Sequence, residues 1–112
     1  MYSLKKEGKF NYTEIGVGRP IIILHGLMGG LSNFDGVIQK FSKDGYKLVL
    51  PELPLYTQSL LNTNVKNFAK YLRDFIKYKD YKNVILVGNS LGGHIGLYYT
   101  KLNPKKVAGL VI

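Results

Sequence analysis

The sequence predicts an α/β fold, a mostly parallel β-sheet flanked by helices. Three observations lead to it. Short apolar runs rich in Val, Ile and Leu recur at 21–24, 46–50, 83–87 and 107–112, the composition of strands buried on both faces. Between most of them lie segments whose apolar residues recur at helical spacing, so that strand and helix alternate. The connections at 25–31, 51–63 and 88–92 follow the C-terminal ends of the first three runs, where such a sheet carries its chemistry.

Each element has its own signal. Residues 9–15 alternate apolar and polar, as a half-exposed antiparallel strand does. Gly16, Val17, Gly18 and Pro20 make a turn before Ile21, Ile22, Ile23 and Leu24. Residues 32–43 read as a helix opening at Ser32, with Phe34, Val37, Ile38 and Phe41 on one stripe and Gly45 ending it. The strand at 46–50 stops at Pro51. The clearest helix spans 65–78, where Val65, Phe68, Ala69, Leu72, Phe75 and Ile76 form the apolar face. Lys66, Lys70, Arg73 and Lys77 fall elsewhere on its surface. A strand at 83–87, a helix at 92–102 ended before Pro104, and a strand at 107–112 complete the chain.

At 112 residues, 46% of them apolar, with no repeat or low-complexity linker, the chain holds a single domain, 1–112. The absence of cysteine excludes a disulfide scaffold, a thiol nucleophile and a thiolate metal site. With only His25 and His94, no metal site is expected. The apolar runs are too short to span a membrane, and the N-terminal residues lack the apolar core of a signal peptide, so no membrane association and a cytoplasmic location are expected. The net charge of +9 raises the question of nucleic acid. Fourteen of the sixteen basic residues are lysine, and they are scattered (Lys5, Lys9, Lys40, Lys47, Lys66, Lys82, Lys101, Lys105). Base readout leans on arginine, so the expectation is a solvated surface and no nucleic-acid partner.

The loop at 88–92 reads Gly88-Asn89-Ser90-Leu91-Gly92, the pattern G-x-S-x-G between a buried strand and a helix. A serine presented on so tight a turn occupies a strained backbone conformation, and side chains two residues either side would collide with it. The following helix points its N-terminus at the serine, favouring negative charge there, and Leu91 offers a backbone N–H to an oxyanion. The plainer alternative is a junction whose glycines only allow close packing. Neither G-x-G-x-x-G at a strand-to-helix turn nor G-K-[ST] occurs, which argues against a phosphate cradle and a flavodoxin-like nucleotide binder.

Together with the upstream loop His25-Gly26-Leu27-Met28-Gly29, these residues and the order of elements resemble the α/β-hydrolase superfamily, in its serine-nucleophile branch. The resemblance implies that Ser90 is the catalytic nucleophile, that the Leu27 and Leu91 amides form the oxyanion hole, and that His25, Gly26, Gly88, Asn89 and Gly92 support the two loops. His25 would brace its loop without acting as general base, and His94 would likewise be structural. A serine at the elbow argues against relatives that place aspartate there, the epoxide hydrolases and haloalkane dehalogenases. The implied chemistry is hydrolysis of ester or thioester bonds of a small-molecule acyl substrate; amide hydrolysis and carbon–carbon cleavage of diketones are other family chemistries. No cofactor is implied. The stretch Pro51-Glu52-Leu53-Pro54-Leu55-Tyr56-Thr57-Gln58-Ser59 is similar to the family's D-L-P-G-x-G-x-S segment, with Glu52 for Asp and with Leu55 and Thr57 for its two glycines.

In this family the acid and the histidine follow the serine. No Asp or Glu follows Ser90 here, and His94 is too near along the helix to reach it from the expected side. The expectation is therefore the N-terminal half of a larger hydrolase, truncated after the strand that follows the nucleophile-elbow helix. Alone it would be inactive beyond oxyanion stabilisation, and it would associate through the 107–112 edge strand or with the missing C-terminal half. The alternative is a catalytically inactive hydrolase-fold fragment acting as a binding or assembly module.

Overall fold

The computed structural model describes residues 4–24, 35–53 and 64–112. Six strands lie in one sheet: β1 (Leu4–Glu7), β2 (Phe10–Gly16), β3 (Arg19–Leu24), β4 (Tyr46–Pro51), β5 (Val84–Gly88) and β6 (Val107–Val111). Helices α1 (Asp35–Phe41), α2 (Val65–Lys79) and α3 (Leu91–Leu102) and a 3-10 turn at Pro104–Lys106 alternate with the later strands. The strand order is β1-β2-β4-β3-β5-β6. β4, β3, β5 and β6 are parallel, and the β1–β2 hairpin joins β4 antiparallel. This is the α/β arrangement the sequence predicts.

Burial on both faces explains the solid apolar runs. Ile21 and Ile23 of β3 point to one side, where they join Leu48 and Leu50 of β4 and Ile38 of α1. Ile22 and Leu24 point to the other, into a larger core with Val49, Leu86, Phe68, Leu72 and Ile95. Successive strand residues therefore serve opposite cores, and no polar position is left between them. α2 is fixed by its buried face, Phe68, Ala69, Leu72, Phe75 and Ile76. Phe75 sits among the rings of Phe10, Tyr12 and Tyr81 at centroid distances of 5.5, 5.2 and 6.2 Å. The Asn64 side chain caps the helix by accepting from the Asn67 amide at 2.8 Å. Asp80, in the left-handed region, ends it.

The fold departs from the sequence reading in four places. β1 carries no apolar signal: Leu4, Lys5 and Lys6 are exposed, and backbone pairing with β2 across the Gly8-Lys9 turn forms it. Pro20 is a strand residue of β3, not a turn residue. It pairs with Lys47 of β4 in the second position of the strand, while pairing with β5 begins only at Ile21, so a proline is tolerated at this strand start. α1 ends at Phe41, two residues before the expected end. It buries Ile38 and rests on Phe41, whereas Val37 is exposed; Ser32 and Phe34 lie outside the described residues. The α3 helix begins at Leu91, so only Asn89 and Ser90 separate it from β5.

A polar network clamps the hairpin to α2 near the N-terminal edge of the parallel strands. Glu14, its side chain only 13% exposed, meets Lys5 at 3.4 Å, Lys79 at 3.4 Å and Lys47 at 3.9 Å. The Tyr81 hydroxyl donates to it at 2.6 Å. The hydroxyl of fully buried Tyr12 donates to Glu7 at 2.7 Å and accepts from Lys79 at 2.8 Å. Burial disfavours the Glu14 carboxylate, but the Tyr81 hydrogen bond and the three lysines outweigh it and hold its pKa below the ordinary value. A carboxyl lowered in this way stabilises the fold above the ordinary value of 4.5 and loses that contribution as the pH falls through its folded pKa. Glu14→Gln is expected to lower stability at neutral pH by about 2 kcal/mol, with the difference from wild type narrowing in acid. Urea unfolding at neutral and acidic pH checks this; a gap that is the same at every pH would contradict it.

Candidate active site

The C-terminal ends of β3 and β5 lie side by side, with Leu24 in register with Gly88. The turn after β5 is bound to the end of β3, because the Asn89 amide donates to the Leu24 carbonyl at 3.1 Å. The chain then reverses within two residues. Ser90 adopts φ 58°, ψ −120°, far from the conformations a non-glycine residue prefers. The Gly92 amide donates to Asn89 O at 3.0 Å and the Gly93 amide to Ser90 O at 2.9 Å, and these bonds start α3.

The two glycines of the pattern occupy the tightest points. A Cβ on Gly88 would lie 2.6 Å from the Gly92 oxygen and from Gly93 Cα. A Cβ on Gly92 would overlap the backbone carbonyl of Leu24. Strand β5, helix α3 and the end of β3 thus meet backbone to backbone, and hydrogen is the side chain that fits.

Ser90 is the N-cap of α3 and is exposed, yet its side chain makes no capping hydrogen bond. A serine at this position ordinarily turns its oxygen onto the amides of the first turn. Here the strained backbone carries the hydroxyl away from that role. Leu91, the first residue of α3, has an amide with no partner inside the helix, and the helix N-terminus adds a partial positive charge beside it. An exposed hydroxyl, an N–H with no backbone partner among the described residues and a helix dipole are thereby brought to one point at the C-terminal end of the sheet. Asn89 is exposed beside them, and Gly88 and Gly92 are buried beneath.

His25, Gly26 and Leu27 lie outside the described residues, as does most of the loop after Pro51. Glu52 is exposed, and its amide donates to Asn11 O at 2.8 Å. His94, one turn into α3, is exposed and lines a shallow cleft with Val65, Leu97, Tyr98 and Lys101 on the side of α2. Among the described residues no group of three or more His, Cys, Asp or Glu could hold a metal ion, and no helix is long and apolar enough to cross a membrane.

The sequence reading passed over Leu24, whose carbonyl both receives Asn89 and sets the limit on Gly92. Its only signal was its place as the last apolar residue before the upstream loop. It also passed over Gly93 and Gly96, where α3 comes close to the sheet. A Cβ on Gly93 would lie 2.9 Å from the Ile112 side chain, and one on Gly96 3.2 Å from that of Leu110. Their spacing of three on one helix face was the available clue.

Comparison with known proteins agrees with this fold. A sequence model of the α/β hydrolase fold matches residues 19–112. The chain belongs to the α/β-hydrolase fold family. Among solved structures, an α/β hydrolase enzyme from the metagenome of sediments of the Mar Chica lagoon, Morocco, superimposes with a TM-score of 0.92. It is 63% identical over 96% of this chain and 49% of its own. An epoxide hydrolase from Vigna radiata has a TM-score of 0.85 at 20% identity, a likeness of fold, over 98% of this chain and 38% of its own. A 2-hydroxy-6-oxononadienedioate/2-hydroxy-6-oxononatrienedioate hydrolase from Escherichia coli is 28% identical over 93% of this chain. The chain spans 39% of that relative's length.

The contact at Gly92 yields a prediction about stability. Gly92→Ala places a methyl group against backbone that cannot move without breaking the Asn89–Leu24 hydrogen bond, and it is expected to destabilise by about 3 kcal/mol. Gly36→Ala in α1, where a Cβ meets nothing within 4 Å, is the control and should be neutral or mildly stabilising. Equal urea midpoints for the two variants would contradict the packing described.

Proposed function

We propose that residues 1–112 form the nucleophile-bearing part of a serine hydrolase domain, with Ser90 as the nucleophile. The observation that carries this reading is the state of Ser90: an exposed helix N-cap, held at φ 58°, whose hydroxyl caps nothing. A structural serine at this point would be expected to bond to the helix it begins. Membership of a hydrolase-fold family and the two glycines packed under the turn support the same reading.

In the proposed reaction the Ser90 oxygen attacks a substrate carbonyl while a general base takes its proton. The carbonyl π electrons move onto its oxygen, and the Leu91 amide donates to that oxyanion, with Leu27 as the second donor. Collapse of the intermediate expels the alcohol or thiol, which takes up the proton, and water then releases the acid from Ser90. The base and its acidic partner are not among the residues after Ser90 and are assigned to sequence outside these 112 residues. Esters and thioesters of small acyl groups are the first substrate class. The Escherichia coli relative, named as a hydrolase of an oxo-dienedioate, makes oxo-acids the second class to assay. No cofactor enters the scheme.

The second reading is a hydrolase-fold module that binds without catalysis. The outer side of β6, unpaired among the described residues, with Val111 56% exposed and the following Ile112 73%, is the proposed place for a pairing strand in either case. Ser90→Ala in the full-length protein separates the two. Hydrolysis of p-nitrophenyl acetate should fall by about three orders of magnitude or more, with labelling by a fluorophosphonate lost. Full-length wild-type protein that neither hydrolyses esters or oxo-acids nor takes the label would leave the binding module as the reading.

A further inference from the structure

Three of the fourteen lysines and one of the two arginines line up along one face of α2. Lys66, Lys70, Arg73 and Lys77 follow one another by four, three and four residues. At 100° per residue they fall within about 60° of one another and form a stripe about 17 Å long. Asp74 is the only acidic residue in α2, α3 and the 3-10 turn, and it is already engaged by Lys9 at 2.8 Å and Arg73 at 3.1 Å. Among the described residues Lys66, Lys70, Lys77 and Lys101 form no ion pair. Like charges at a spacing of three or four repel, so the stripe weakens the helix that bears it.

Beside the stripe runs a groove between α2 and α3. One cleft of about 90 Å³ has Ala69, Tyr98, Tyr99 and Leu102 as its floor, with Lys66, Lys70 and Arg73 as its rim. It shares Tyr98 with the cleft formed by Val65, His94, Leu97 and Lys101. Leu97 and Leu102 are 52% and 61% exposed. An apolar channel bordered by Lys66, Lys70 and Lys101, which form no ion pair among the described residues, fits a partner that is apolar on one side and acidic beside it.

We propose that the α2–α3 groove docks an acidic amphipathic helix of a protein partner, its apolar side chains in the groove and its carboxylates against Lys66, Lys70, Lys77 and Lys101. The floor is recessed between the helices, which suits an inserted side chain better than a flat lipid surface. Nucleic acid is disfavoured because Arg73, the one arginine of α2, already faces Asp74, and the rest of the stripe is lysine.

The test titrates full-length protein against a fluorescein-labelled amphipathic helical peptide of Leu and Glu, followed by anisotropy. Binding should weaken steeply with added salt, and Lys66→Glu with Lys70→Glu should reduce affinity about tenfold or more. Leu102→Asp should reduce it as well, and unstructured polyglutamate of equal charge should bind more weakly than the peptide. Circular dichroism verifies that the variants are folded, with Lys66→Gln and Lys70→Gln as the gentler pair. Absence of peptide binding, equal binding by the folded charge variants, or equal binding of polyglutamate would overturn the proposal. So would binding only to vesicles containing phosphatidylserine, which would assign the stripe to a membrane surface.

Discussion

The structure turns on one close approach, the point where the Gly92 backbone presses against the carbonyl of Leu24. Three backbone segments share that point: the end of β3, the turn after β5 and the start of α3. A side chain on Gly88 or Gly92 would push them apart. Because they touch, the turn can be only two residues long, and because it is so short, Ser90 is driven to positive φ. The strain is held in place by hydrogen bonds on both sides, from Asn89 to Leu24 and from Gly93 to Ser90. Its consequence is chemical: the hydroxyl that would cap a relaxed helix is left exposed beside an amide that has no partner inside the helix.

What fixes this point in space is the sheet's two-sided core. β3 is buried on both faces and flanked on both edges, by β4 and β5, so its last residue cannot shift without disturbing both hydrophobic layers. α3 is drawn down on the sheet by Gly93 and Gly96, which bring its first turns within contact of Leu110 of β6 and of Ile112 just after that strand. The charged clamp around Glu14 lies near the opposite edge of the parallel strands and holds the hairpin to α2. Structural electrostatics and the serine site are thus kept apart, and the polar network can be satisfied without involving Ser90.

Much of this was legible in the sequence, for identifiable reasons. Strands buried on both faces leave an unmistakable trace, as at 21–24, because every residue must be apolar. The α2 helix was equally plain, since its buried and charged faces separate cleanly around Phe68, Leu72 and Phe75. The elbow could be read because its glycines answer a steric demand that few other junctions impose. β1 could not be read, since its order comes from backbone pairing and three of its four side chains are charged. Pro20 was misplaced because its tolerance depends on where β5 starts to pair, a tertiary fact. The basic stripe was legible in part: Lys66, Lys70, Arg73 and Lys77 fall on the surface of the predicted helix, but the α3 residues that border them, Tyr98, Lys101 and Leu102, are brought there only by the fold.

The most direct test is a crystal structure of the full-length protein after reaction with a fluorophosphonate. The account predicts phosphorus bonded to the Ser90 oxygen, with a phosphonyl oxygen about 3 Å from the Leu91 amide nitrogen and a second backbone amide, that of Leu27, on the same oxygen. Phosphorus bonded elsewhere, or a phosphonyl oxygen turned to solvent away from the first turn of α3, would contradict it.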